Sequence, residues 1–423
     1  MSLTYSGSVS GLAKLGITIF FALAIAKGIA YIFKPLCNKW SYSRAIINMR
    51  KHRAIANFDV LGENKLVDRL TSRAIPNTRF IEVFSINNSF TTKNETVHKQ
   101  FIAPVRETIH NMDTNWTHFF GAADLALEHI LISFRFCHDS ITLASITRCF
   151  VFIAMLHTFF GLDPEEVDYV DATAATEAIN NLWEESKKTQ RADLREDQER
   201  LQAALRRMLP MCFPCKSEEH PLNIIMPSYE TMWRVVLLTY VSAGLRSVDQ
   251  ETTEQFSKVV RSIPRCFDPD SKSDATETAI NFAKEGLRLY PPTKRIHRAV
   301  PRDTHSGTYD IKAADVEWCH RDTRIWGPDA EEFRPSRFLV HTDTMKSAYM
   351  PFGAGRNRCP TASKFSYRAI MTLVAVMAKR MGDKHSGVKV TFNDAKLDED
   401  LKALLPSGRM DMEDWKLARI DVD

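Results

Sequence analysis

Residues 351 to 360 read PFGAGRNRCP. A glycine-rich turn runs into Cys359, arginines stand on both approaches and a proline follows. A phosphate cradle would need a GK[ST] end or a Rossmann turn after a strand, and neither is present. A nucleophilic cysteine would need a histidine and an asparagine placed to support it, and no such set is evident. A plain surface turn over a buried thiol stays open. A fourth reading uses more of the stretch. Pro360 suits the first turn of a helix, and the amides at a helix start, with Arg356 and Arg358, would stabilise a thiolate. Such a cysteine suits axial ligation of a haem iron, where the thiolate pushes electron density onto the metal and favours O–O cleavage.

Other residues of chemical interest lie upstream. Glu285 and Arg288 are three apart on a helix expected over 274 to 290. They share a face and can pair. Asp274 with Glu277 reads as its capping box, and Pro291-Pro292 ends it. Glu230-Thr231 is an acid–alcohol pair of the kind that delivers protons. Pro227 has no N–H, so a carbonyl near Asn223 loses its helical partner and the helix can open there. Cys212 and Cys215 with His220 hint at zinc but supply only three ligands, and Cys319-His320 is a lone pair in a loop.

Phe352, Gly355 and Cys359, spaced F-x-x-G-x-x-x-C, resemble the haem-binding loop of cytochrome P450 enzymes. EGLR at 285 to 288 with the following LYPP resembles that family's E-x-x-R, and FRPSRF at 333 to 338 its F-x-P-x-R-F, in the same order and spacing. The resemblance implies haem b as cofactor, with Cys359 as its iron ligand. It implies that Arg337 joins Glu285 and Arg288 in a buried network bracing the Cys359 loop. It places Arg295 at a haem propionate, Asn357 where relatives carry a propionate-binding arginine or histidine, and His98 at a position on the early helix that can reach the haem. It makes Glu230 and Thr231 the proton relay for oxygen activation. Thr361 stands where a glycine is usual, which puts close packing of the next helix on the haem in doubt. The likeness covers about 95 to 375 and is compatible through LPSGR at 405 to 409. From AINNLWEESKK (178 to 188) to YETMWRVVLLTYVSA (229 to 243) the chain looks most like ascomycete enzymes of secondary metabolism.

The elements that must position these residues are mostly helical. The 423 residues are 44% hydrophobic and 26% charged, an ordinary globular balance. A net charge of +4 without a long basic run gives no reason to expect nucleic acid. Eight scattered cysteines do not make a disulfide framework. Residues 15 to 33 are almost continuously apolar. They read either as a signal peptide or as a membrane anchor, and the basic residues that follow favour an anchor with the bulk of the chain in the cytosol. The expected division is an anchor over 1 to 34 and a catalytic domain over 35 to 423. Within the latter, 141 to 162 reads as a buried core helix, 184 to 207 as a solvated helix, 222 to 246 as a broken central helix, and 296 to 317 as short strands with a turn at Ser306-Gly307. The expected fold is mainly α with a minor β part, the cytochrome P450 fold with an abridged N-terminal sheet.

Together these imply a single-pass protein of the endoplasmic reticulum. It would insert one oxygen atom from O2 into a small apolar molecule, with electrons from an NADPH-cytochrome P450 reductase. Arg356, Arg358, Lys364 and Arg368 would offer that acidic partner a basic face. A haem-thiolate isomerase or dehydratase, and a non-catalytic haem-binding membrane protein, are the alternatives.

Overall fold

The computed structural model describes residues 37–137, 142–268, 271, 273–303, 307–362 and 364–419. The expected anchor over 1 to 34 lies outside them.

Helices carry most of the architecture, and two small antiparallel sheets flank them. The strand Arg295–Pro301 pairs with Tyr309–Asp315, with Arg295 opposite Asp315, and Val388–Thr391 pairs with Lys416–Arg419. Among the described residues no strand precedes Arg295. The region 37 to 90, which has little pattern in sequence, is helical over 37–56, Leu66–Ala74 and Thr78–Phe84.

The apolar run at 141 to 162 forms the Leu143–Phe160 helix at the centre of the main core. Among the described residues it is the one helix long and apolar enough to cross a membrane, and 72% of it is buried inside the protein. Its Arg148 is buried and paired with Glu413. The charged stretch at 184 to 207 is not one helix. Tyr169–Glu185 ends there, and a new amphipathic helix, Arg195–Met208, buries Leu201, Ala204, Leu205 and Met208.

Two elements position the Cys359 loop. The Asp274–Leu289 helix is capped by Ser273, whose side chain accepts from Ala275 N, rather than by Asp274. Its Gly286 lies against Thr239, where a Cβ would collide with the threonine hydroxyl, so the absent side chain lets two core helices cross closely. The second element is the Phe365–Met381 helix, whose face from Phe365 to Ala378 is largely buried.

Candidate haem-binding site

Residues 351 to 359 fold into a turn closed by Gly353 N on Met350 O (3.1 Å) and Cys359 N on Phe352 O (3.0 Å). Gly353 and Gly355 both have positive φ, +75° and +69°, which favours glycine. Gly355 has a second reason to be glycine: a Cβ there would occupy the position of the Asn57 side-chain amide. Its bareness therefore seats the N-terminal helical region as well as shaping the turn. Phe352 packs edge-to-face on Tyr367.

The helix expected to begin at Pro360 begins at Phe365, after a turn. Among the described residues the one backbone amide that acts on the Cys359 thiol is that of Thr361, not a full ring of helix-start amides. Burial pushes its thiol pKa up, and the opposing influences are the Thr361 hydroxyl and amide and the Arg358 charge. Thr361 Oγ1 lies 3.0 Å from Cys359 Sγ. Ser366 donates to the same Oγ1 at 2.7 Å, so the threonine's own proton is free to point at sulfur. The departure from glycine at this position puts a hydrogen-bond donor beside the thiol.

A bonded path leads from this loop to the charged network. Glu285 Oε1 accepts from Arg288 Nη2 (2.8 Å), Arg337 Nε (2.9 Å) and Arg334 N (2.9 Å), and its Oε2 accepts from Arg288 Nε (2.7 Å). Arg288 also donates to the carbonyls of His320 and Ala330, and Arg337 to those of Asp329, Glu332 and Trp326. All three side chains are buried. His320, which reads in sequence as a loop residue, lies in the Val316–Arg321 helix and is fully buried. Its Nε2 accepts from Met350 N (2.9 Å) and its Nδ1 donates to Arg288 O (3.1 Å). Burial and the neighbouring Arg288 charge pull its pKa down to about 3, so it is neutral and able to accept. It joins the network to the residue that begins the loop. No local signal in the sequence marks it for that role.

Cys359 opens on a cavity of about 1270 Å³, larger than the roughly 300–1,000 Å³ of a pocket built for one small ligand. Its walls also include Phe352, Asn357, Thr231, His98 and Arg295. Asn357 Oδ1 accepts from Arg69 Nε (3.0 Å). His98 is bonded through Nδ1 to Ser89 Oγ (2.7 Å), and burial followed by the Arg73 and Arg106 charges lowers its pKa. Arg295 is on the cavity wall, but its side chain is 67% exposed and faces Asp315 at 3.7 Å. The buried cation on that strand is Arg298, three residues on, with Arg73 close by. Burial pulls Arg298 down to about 9, with the Arg73 charge adding to it, and Arg73 down to about 10. Arg73 Nε and Nη2 and Arg298 Nε are buried without hydrogen-bond partners. Strand alternation accounts for the difference in burial, since residues 295 and 298 lie on opposite faces.

In the central helix, Pro227 sits inside Leu222–Tyr229 and the break falls at 230 to 232, before Trp233–Tyr240. The carbonyl that Pro227 should orphan, Asn223 O, accepts from Asn88 Nδ2 (2.9 Å), so the helix stays closed there. Thr231 Oγ1 donates to Pro227 O (2.8 Å). The Glu230 carboxylate is buried and ion-paired with Arg409, with no hydrogen-bond donor aligned on either oxygen. Of the proposed basic face, Arg368 turns inward over the Trp116 and Phe267 rings, while Arg358 and Lys364 are exposed. Among the described residues no cluster of three or more His, Cys, Asp or Glu side chains could hold a metal ion, the 212–220 region included.

Residues 279–361 match the family model described as Cytochrome P450. The chain is 30% identical over 121 residues to Cytochrome P450 714A2 of Arabidopsis thaliana, 26% of this chain and 23% of that protein. It is 33% identical over 117 residues to Bifunctional cytochrome P450/NADPH--P450 reductase 2 of Bacillus subtilis, 26% of this chain and 11% of that protein. These matches span about a quarter or less of the relatives' length. A solved 6-coordinated cytochrome P450 from Thermus thermophilus aligns with a TM-score of 0.50 at 16% identity, over 74% of this chain and 80% of that chain, which is a likeness of fold. The comparisons support the cytochrome P450 family for this chain, over the stretch that holds the network and the cysteine loop.

Proposed function

We propose that the protein is a haem-thiolate monooxygenase. The single observation that carries this reading is the pairing, in one cavity, of the Cys359 thiol with the buried Arg73 and Arg298 guanidinium groups, which have no anionic partner among the described residues. A group offering a soft-ligand-binding metal and two carboxylates fits both needs, and haem is such a group. Cys359 Sγ would hold the iron, and Arg73 and Arg298 would hold the carboxylates, with Arg69 and Asn357 beside them. When bound, haem supplies the chemistry for activating O2 and inserting one oxygen atom into a substrate.

The chain's own residues do the rest. The Glu285–Arg288–Arg337 network, through His320, fixes the start of the cysteine loop. The Thr361 hydroxyl tempers the charge on Cys359 Sγ. Thr231 stands at the break in the central helix, on the cavity wall, where its hydroxyl can exchange its Pro227 bond for one to a bound water. The reading extends to an N-terminal membrane anchor with a cytosolic catalytic domain, a reductase as electron donor, and an apolar intermediate of fungal secondary metabolism as substrate. For the anchor and its orientation the support is the apolar run at 15 to 33 and the basic residues that follow it, and for the donor and substrate it is the sequence resemblance alone.

The test is the absorbance of the reduced, carbon-monoxide-bound protein. A strongly red-shifted Soret band is expected, and its absence in haem-loaded protein overturns thiolate ligation. A second reading, an isomerase or dehydratase needing no external electrons, draws support from the Glu230–Arg409 pair, which engages the acid otherwise expected to relay protons. Turnover that requires NADPH and reductase excludes it.

A further inference from the structure

The cavity is lined by more guanidinium groups than two haem carboxylates can engage. Besides Arg73 and Arg298, a second group of cations lines it from other elements: Arg79, Arg234 and Arg409. Arg409 is answered by Glu230 and by Glu184, whose Oε1 is 3.6 Å from Arg409 Nε. Among the described residues no carboxylate lies within ion-pair reach of Arg234, and the Glu184 charge acts on it from farther off. Arg234 donates to two backbone carbonyls, Ser407 O (3.3 Å) and Pro292 O (2.8 Å), and its Nε is buried without a partner. Burial pulls its pKa down to about 10, so it is charged at neutral pH, and it keeps part of its surface on the cavity. Arg79 lies over the Phe80 and Trp183 rings and donates to Ser186 Oγ (3.1 Å), again with no carboxylate within ion-pair reach among the described residues, the Glu184 charge acting from farther off. Trp183 is held between Arg79 and Arg409, at 5.4 and 4.6 Å from ring centre to guanidinium carbon.

An uncompensated cation held inside a protein is costly unless an anion joins it. Haem's two carboxylates are taken up by Arg73 and Arg298 in the reading above, on which this inference rests. We propose that Arg234, flanked by Arg79 and Arg409, is an anion subsite that binds the carboxylate of an otherwise apolar substrate. Trp183 and Phe80 would take the adjoining apolar part. The subsite lies between the end of the Tyr169–Glu185 helix, the start of Trp233–Tyr240 and the 406–409 loop, so substrate selection and the Glu230–Arg409 pair are physically joined.

The test uses purified full-length chain, with haem content measured from absorbance before each titration. Two matched pairs of probes are titrated by calorimetry: dodecanoate against dodecan-1-ol, and 4-phenylbutyrate against 4-phenylbutan-1-ol. In the wild type at least one acid is expected to bind about tenfold or more tightly than its alcohol. Arg234→Gln is expected to abolish that preference while leaving alcohol binding and haem content unchanged, and Arg234→Lys to restore part of it. Equal binding of acid and alcohol, or no acid binding, in haem-replete wild type overturns the subsite and leaves the haem reading intact. A chain that takes up no haem counts against the haem reading. The subsite then stands only if the acid preference persists and is lost in Arg234→Gln. Loss of the preference in Arg298→Gln but not in Arg234→Gln places the carboxylate at the other group of cations and overturns the proposal.

Discussion

The molecule buries arginines in two different ways. Around Glu285, the guanidinium groups of Arg288 and Arg337 meet a carboxylate and a set of backbone carbonyls, and almost every donor is used. In the cavity, Arg73 and Arg298 are buried and Arg234 half-buried, yet each keeps Nε or Nη2 atoms with nothing among the described residues to donate to. Both arrangements require desolvating a charge, but only the first supplies its counter-charge from within the chain. A closed network is a piece of scaffold. An open one is an unfinished site whose last partner arrives from outside.

The sharpest way to break this contrast is to open the closed network. Arg288→Ala leaves Glu285 buried with fewer donors, and Arg337→Ala does so less severely. Arg288→Ala is expected to cost about 3–5 kcal/mol, read as a large fall in the denaturant midpoint or as failure to recover folded protein. A midpoint within experimental error of wild type would mean that the network is not a scaffold.

A smaller effect comes from the histidine joining that network to the cysteine loop. His320 has a folded-state pKa of about 3 against an ordinary value near 6.5. The unfolded chain therefore takes up a proton first. The stability that neutral His320 contributes is complete above pH 6.5 and is lost as pH falls from there towards 3. Between pH 6.5 and 5 the loss is roughly 2 kcal/mol, and the melting temperature should fall accordingly. His320→Asn, whatever its starting stability, should flatten the dependence across that window, and a variant with the wild-type slope would remove His320 from the account.

On the open side, removing one of the cofactor-end cations is expected to act on retention rather than on the fold. Arg298→Gln should release haem to apomyoglobin about tenfold faster or more while unfolding at a similar denaturant concentration. Unchanged release would mean that the carboxylates lie elsewhere. Thr361→Val should lower the reduction potential of the haem-loaded protein, because the sulfur loses a hydrogen-bond donor and its charge is less tempered. A potential that does not move would show that the hydroxyl does not bond the sulfur. The smallest effect is expected at Arg234. Its replacement by Met deletes a desolvated cation and two carbonyl bonds together, so stability should change by less than about 1 kcal/mol in either direction. A loss as large as that of Arg288→Ala would erase the distinction between the two groups.

Much of the scaffold could be read in advance because its signals are local. Two residues three apart on a helix share a face, so Glu285 and Arg288 were expected to pair, and they do. An apolar run containing Arg148 suited a core helix rather than a span, and Leu143–Phe160 is buried in the core. The open side was hidden because its residues meet only through folding. Asn88 reaches Asn223 O across 135 residues and closes the helix where Pro227 alone would open it. Arg409 meets Glu230 from a loop near the other end of the chain.

By itself, the sequence determined the chemistry available at Cys359, the type of the principal helices and the pairing of Glu285 with Arg288, because bond geometry, spacing and capping act over a few residues. Only the tertiary structure decided which arginine on the cavity wall is buried. Strand register left Arg295 largely exposed beside Asp315 and buried Arg298. The fold also decided that Thr361 bonds the cysteine sulfur and that Arg234 pairs with no carboxylate among the described residues. Burial and counter-charge depend on what the rest of the chain brings alongside, and spacing carries no record of that.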